Sequence, residues 1–420
     1  MVSNNRSVFI FIILTVLIDT IGLGIIFPVL PKLITTLGHT DVSTAAKYGG
    51  WLSFVYAAMQ FVFAPILGNL SDAYGRRPVL LCALLGFSID YLFLAFAPDI
   101  FWLFIGRMIS GITGASAVVG ASYMADISTG EERTKNFGIL NATMGLGFIL
   151  GPALGGVLCQ FGTHIPFMAT AMLGILNLGF GYFVLPESLA DSNRRPFEWG
   201  RANPFGAVKQ LSKFPSALLL ITSILFLSFA NHSIETVWAY FTIEKFGWSE
   251  QLTGFSICLI GALFIVAQAW LVGVIIAKIK DRATAYLGLL FSCAAFLCFA
   301  FTSWQWGLVI GMVLLGIGSI AETALQGMLS NRVSADEQGE LQGSLGCLKA
   351  MATFIAPLLM ANSFAFFTGK TAPFYFPGMP FVISAVATVI SLLLLVRGNT
   401  KTYFAKVSAT GELNKMGITE

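Results

Sequence analysis

Six ionisable side chains lie inside apolar runs, where a charge is expensive: Asp19, Asp90, Arg107, Glu235, Glu322 and Lys349. In a bilayer each costs about 2.5 to 3.5 kcal/mol on insertion scales, so each either pairs with another or exchanges a proton or ligand. At about 1.5 Å of rise per residue, Asp90 and Arg107 fall about 6 residues from the same end of consecutive runs, near 9 Å depth, and are expected within reach of each other. Their pairing is compatible with a purely structural role or with work in translocation. Asp19 lies near the middle of its run with no partner by depth, which favours proton binding. Glu322 and Lys349 are expected as neighbours, either as a structural ion pair or as a cation presented to an acidic substrate group, since a lone ammonium in lipid would deprotonate. Glu235 is near enough to the end of its run that a solvated interfacial position serves equally well. Gln60, Asn231, Gln268 and Gln326 suit either a cavity lining or helix-to-helix hydrogen bonds. His39, His164 and His232 are scattered over loops and a span end, without a nucleophile or metal spacing, so no enzyme, cofactor or metal site is expected.

The elements that must hold these side chains follow from composition. The 420 residues are 56% hydrophobic and only 11% charged, with a mean hydropathy of +0.81, whereas soluble domains carry about 25% charged residues. Crossing a hydrocarbon core of roughly 30 Å takes about 20 apolar residues per helix. Runs of that kind fall near 8–30, 46–69, 78–97, 101–124, 134–161 and 165–185, and again near 216–240, 250–276, 283–302, 305–331, 341–368 and 373–396. The expected fold is an all-α integral membrane protein with twelve transmembrane helices in two pseudo-symmetric six-helix bundles. Residues 1–185 form the first bundle, 186–215 a polar linker, 216–396 the second bundle and 397–420 a polar tail. The first run is too long for a signal-peptide core and ends in Pro28-Val29-Leu30-Pro31 rather than a cleavage site, so it reads as a retained span. A dispersed net charge of +3 argues against nucleic acid as a partner. The six cysteines lie in or beside apolar runs and suggest no disulfide framework.

Of the 24 Lys and Arg residues, Lys32, Lys47, Lys245 and Lys370 fall on one side, Arg107 and Lys349 lie within the membrane, and the rest share the side of the N-terminus. Basic residues in short loops are retained in the cytoplasm, so both termini, the linker and the loop Gly68–Pro78 are expected there. That loop is a tight charged hairpin holding Asp72, Gly75, Arg76 and Arg77. Asp72 is placed to face the N-terminal end of the eleventh span, opened by a Ser334 cap, while Arg76 or Arg77 can meet Asp126. The two chain halves resemble each other at an offset of about 205 residues, pairing Gly49 with Gly254, Gly68 with Gly273, and the capping-box patterns Ser128-x-x-Glu131 and Ser334-x-x-Glu337. Ala277 stands where Asp72 would repeat. In the fifth span Gly145, Gly147, Gly151, Pro152, Gly155 and Gly156 predict a kinked helix in close backbone contact with a neighbour.

The series Gly68-x-Leu70-x-Asp72-x-x-Gly75-Arg76-Arg77 resembles the loop between helices two and three of major facilitator superfamily transporters, with Ala73 where that family commonly has Arg. Gly147-x-x-x-Gly151-Pro152-x-x-Gly155-Gly156 resembles the motif that distinguishes its proton-coupled antiporters. With Leu17–Gly22, Gly22-x5-Pro28, Asp90–Ala95, Gly106–Ala115 and Asp126–Arg133, the chain is similar to twelve-helix drug:proton antiporters, and most of all to tetracycline efflux proteins, over residues 9–186. A weaker likeness continues through Phe246–Trp248, Gly254–Ser256, Gln268-Ala269 and Ala324–Gly327. The resemblance implies that Asp19, Asp90 and Arg107 serve proton coupling and translocation, and that Gly68, Asp72, Gly75, Arg76, Arg77, Asp126 and Arg133 form a cytoplasmic gate. Gln60, Asn231, Glu235, Glu322, Gln326 and Lys349 are the substrate-cavity candidates. Phe264 and Ser292 stand where tetracycline exporters carry His and Asp, so the second half departs from their pattern. The expected function is export of a small amphipathic organic compound or drug in exchange for protons, by a monomer in the bacterial inner membrane. The competing expectation is an importer or facilitator on the same fold.

Overall fold

The computed structural model describes residues 5–114, 116–199, 217–333 and 337–409. Ala115, the linker from residue 200 to 216, the residues 334–336 and the tail beyond 409 lie outside these, and with them the expected Ser334 cap. Among the described residues every regular element is a helix: α1 (Asn5–Gly38), α2 (Val42–Tyr74), α3 (Arg76–Phe96), α4 (Ile100–Thr113), α5 (Ser116–Ile127), α6 (Gly130–Leu158) and α7 (Ile165–Val184). After the linker follow α8 (Leu218–Phe246), α9 (Glu250–Val266), α10 (Val272–Phe301), α11 (Gln305–Gly318), α12 (Ile320–Ser330), α13 (Gln338–Thr368) and α14 (Met379–Ala409). Eleven continuous apolar stretches are long enough to cross a bilayer. One of them, Glu250–Phe301, has 52 residues, about 78 Å of helix and more than twice a hydrocarbon core. It turns back at Lys280, whose φ of 63° and ψ of 168° are not helical. Counted on the two sides of that turn, the described residues make twelve spans, as the hydropathy pattern predicts.

Helix ends depart from the sequence expectation because hydropathy marks the membrane boundary, whereas backbone hydrogen bonding continues past it. The prolines Pro28 and Pro31 do not close the first span; both are inside α1, which runs to Gly38. Likewise α2 extends from Val42, capped by the Asp41 carboxylate on the Thr44 N–H at 3.0 Å, to Tyr74. Ser128 does not take the cap position of α6: the helix begins at Gly130 with Thr129 before it, and the Ser128 hydroxyl accepts from Asn136 Nδ2 at 2.8 Å.

The offset of about 205 residues recurs in irregularities that hydropathy does not report. The fourth span breaks at Gly114 (φ −70°, ψ 48°) and the tenth at Ser319. Gly75 (φ 106°, ψ 158°) and Lys280 turn the second and eighth spans into the third and ninth. Pro152 and Pro357 lie inside the fifth and eleventh. Carbonyls freed by the two breaks are met in the same way: Gln60 Nε2 donates to Gly114 O at 3.0 Å, and Gln268 Nε2 to Ser319 O at 3.2 Å. Gln268 lies in Ala267–Leu271, which winds as a π-helix.

Packing divides the chain into two compact units that do not follow chain order. The first takes Met1–Gly206, His232–Ile265 and Thr353–Pro380, and the second Ala207–Asn231, Val266–Ala352 and Phe381–Glu420. A core of Phe11, Ile12, Leu80, Val119, Tyr123 and Leu140 lies in the first. The second is built around Ile224, Leu289, Ala321, Leu325, Leu341 and Leu395.

Candidate functional site

In the first unit, Asp90 of α3 and Arg107 of α4 form a two-pronged ion pair, with Arg107 Nε donating to Asp90 Oδ1 at 3.1 Å and Nη2 to Oδ2. Asp90 is wholly buried, Arg107 nearly so. Gly106 makes room, since a Cβ there would lie 2.9 Å from Asp90 Oδ1. The guanidinium also lies over the rings of Tyr56 at 5.4 Å and Tyr91 at 5.8 Å, so the cation is fully engaged. Removing either charge would strand the other as an uncompensated buried charge. Asp19 of α1 faces a narrow space lined by Tyr56, Phe87, Tyr91, Ser110 and Thr113. Among the described residues no hydrogen bond or ion pair reaches its carboxylate.

The fifth-span glycines set the distance between α6 and α1. A Cβ on Gly151 would stand 2.6 Å from Ile21 O, and one on Gly155 2.8 Å from Ile25 O. Gly147 lies against the Thr20 side chain, and Gly24 would meet Pro152 Cδ at 2.7 Å. Gly156 packs on α9, where a Cβ would stand 2.6 Å from Glu250 O, whereas Gly145 faces open space. The stretch of α1 that follows Asp19 is thus clamped backbone to backbone against α6.

At the α2–α3 turn, Arg76 binds Asp72 and reaches Asp126 Oδ2 at 3.2 Å. Arg77 does not join Asp126; it donates to Tyr182 O at 2.7 Å. Both backbone amides at the start of α3 donate to Glu187, Arg76 N–H to Oε1 at 2.8 Å and Arg77 N–H to Oε2 at 3.2 Å. This acid, assigned by sequence only to the linker, caps α3 with favourable charge at a helix N-terminus. Gly75 needs its positive φ, and the Glu187 carboxylate leaves no space for a Cβ there. Gly68 has open space around it, and Arg133 is exposed with no ion pair among the described residues.

In the second unit, Lys349 of α13 binds Glu322 of α12, whose Oε1 also accepts from Gln326 Nε2 at 3.2 Å. Both charged side chains keep about a third of their surface. Asn231 is half-buried and has no hydrogen-bond partner among the described residues. Ser292 is buried beneath Gly318, where a Cβ would meet its N at 2.7 Å, so it packs α10 against α11. Glu235, in the first unit, meets His232 Nδ1 at 2.9 Å, while His232 Nε2 lies 3.2 Å from Thr353 Oγ1. The sequence reading set His232 aside as a span-end residue. It lies within α8, and its i,i+3 spacing to Glu235 was the available signal.

A twelve-span helical fold, with a mid-span carboxylate that has no ion-pair partner among the described residues beside a buried ion pair, is that of a multi-pass membrane transporter. The family model for the Major Facilitator Superfamily matches residues 12–357, and the chain belongs to that family. It is 36% identical over 398 residues to the class C tetracycline resistance protein of Escherichia coli, covering 95% of this chain and 98% of that one. The class B protein of Escherichia coli is 38% identical over 358 residues, covering 85% and 88%. In fold the chain is similar to the nucleoside transporter NupG (TM-score 0.74, 13% identity, covering 94% of this chain and 99% of that one). A bacterial homologue of the human lysosomal transporter Spinster gives a TM-score of 0.73 at 16% identity, covering 95% and 96%.

Proposed function

We propose that the chain is a proton-coupled antiporter that exports a small amphipathic organic compound, with tetracycline the first compound to test. The observation that carries this reading is Asp19, a carboxylate in the middle of a span with no ion-pair partner among the described residues, beside the Asp90–Arg107 pair. Protonation from the outer side and release inside would transmit about 2.3 kcal/mol per 100 mV of membrane potential to the carrier. The similarity to tetracycline resistance proteins at 34–38% identity over most of the chain supports the drug class. In this reading the termini and the α2–α3 turn are cytoplasmic, and the two chain halves are six-span bundles holding substrate near the midplane. Arg76 with Asp72 and Asp126 then locks the inner side.

Reconstituted into proteoliposomes, the protein is expected to move tetracycline uphill when the side opposite the α2–α3 turn is acid. Asp19→Asn should abolish this while the melting temperature changes by no more than a few degrees. Full proton-driven transport by Asp19→Asn would refute the assignment of coupling to that residue.

A further inference from the structure

Glu235 lies in the second half of the 29-residue α8, yet its side chain is 52% exposed. The neighbouring Val237, Trp238 and Phe241 are fully buried. An exposed carboxylate at such a level in lipid would cost about 2.5 to 3.5 kcal/mol, so this face lines a wet path instead. Its Oε2 is held by His232 Nδ1, and His232 is fixed from its other nitrogen by Thr353 of α13. Among the described residues Oε1 has no partner. Phe354, next after Thr353, packs against Phe61 (ring centroids 5.4 Å) and Phe54 (6.1 Å), and Phe54 meets Trp51 at 5.6 Å. Two adjacent residues of α13 thus join a positioned carboxylate to an aromatic cluster on α2, all within the first compact unit.

An anionic oxygen open to a wet path, and an aromatic cluster tied to it through consecutive residues of α13, are complementary to one ligand chemistry. We propose that Glu235 and the Trp51–Phe54–Phe61–Phe354 cluster form a recognition site for an aromatic organic cation. The carboxylate receives the positive centre and the rings receive the flat apolar part. His232 and Thr353 are positioning residues that aim the carboxylate. This rests on the exporter reading and names its substrate class. Nothing in it depends on which residue carries the proton.

The test uses the full-length purified protein and two dyes of similar size, ethidium as the aromatic cation and fluorescein as the aromatic anion, with binding read by fluorescence anisotropy. Glu235→Gln should lower the ratio of ethidium to fluorescein affinity at least tenfold, and Glu235→Asp should keep it within a few-fold. Phe354→Ala should weaken ethidium binding while leaving the dependence on the Glu235 charge in place. A ratio within twofold of the unaltered protein for Glu235→Gln, equal loss of both dyes, or no ethidium binding by the unaltered chain would overturn the proposal. Acid-driven transport of tetracycline and ethidium in the same preparations separates the two readings. Charge-dependent ethidium binding without acid-driven transport of either tetracycline or ethidium leaves the site standing and removes the exporter reading; transport with unselective binding does the reverse.

Discussion

Buried charge is the property that made individual residues legible in the sequence. Helical rise converts position in a run into depth, and depth alone brings Asp90 to Arg107 and Glu322 to Lys349, as the structure shows. Glu187 was not legible as a cap, because its partners are the backbone amides of Arg76 and Arg77, which no side-chain pattern announces. The two pairs predict different mutational behaviour. For the part-exposed Glu322–Lys349 pair, Glu322→Gln and Lys349→Met should each impair transport, and if the pair serves only structure the double variant should recover most of it. A double variant that stays inactive, with Lys349→Met raising KM most, would make Lys349 a substrate contact. For the enclosed Asp90–Arg107 pair, Arg107→Met alone should cost about 3 to 5 kcal/mol of stability by stranding Asp90, measured by denaturant melting in detergent.

Among the elements, the number of spans and the polar hairpin after the second were readable from hydropathy, while the broken fourth and tenth spans were not. A helix interrupted at Gly114 or Ser319 keeps the same apolar composition on both sides of the break. The turns at Gly75 and Lys280 carry an energetic asymmetry. Both take a conformation that is essentially reserved for glycine, and only the first has one. Lys280→Gly should therefore raise the melting temperature, relieving strain of about 1 to 3 kcal/mol, whereas Gly75→Ala should lower it by a similar amount and release Glu187. A melting temperature unchanged by Lys280→Gly would mean that the turn is not strained. Outside the spans, the hydrogen bond from Thr44 holds the Asp41 carboxyl below its ordinary pKa. Its depressed folded-state value means that the cap contributes fully above the unfolded pKa, and that the contribution is lost as pH falls through the folded one. Asp41→Ala should destabilise α2 by about 0.5 to 2 kcal/mol at neutral pH.

For the molecule as a whole, gating should be separable from binding. Asp72 and Asp126 both engage Arg76 at the turn, so Arg76→Gln frees two carboxylates at one end of the helices. We expect slower turnover with substrate affinity kept within a few-fold, together with faster labelling of cysteines placed along the path from that end. Unchanged labelling would assign the cluster to stability alone. Fold and family were legible because lipid imposes one simple rule on composition and the turn motifs are local. Substrate choice was not, since it depends on which side chains from distant spans meet in one wet cavity.

The repeat also leaves a mark in how its two copies touch. Within the first unit Gly254 packs on Pro152 O, and at the matching positions, to within one residue, a Cβ on Gly50 would stand 3.0 Å from Pro357 O. When one residue meets a second and their repeats meet in exchanged order, the contact has the form of a two-fold isologous interface. Each half then presents to the other one copy of the same glycine–proline surface, so the contact itself, rather than the connecting chain, can bring the halves together. Covalent continuity would be a convenience rather than a requirement of assembly. Residues 1–199 and 200–420, produced together as separate chains, should therefore associate in the membrane and restore transport, and Gly254→Leu should prevent their association.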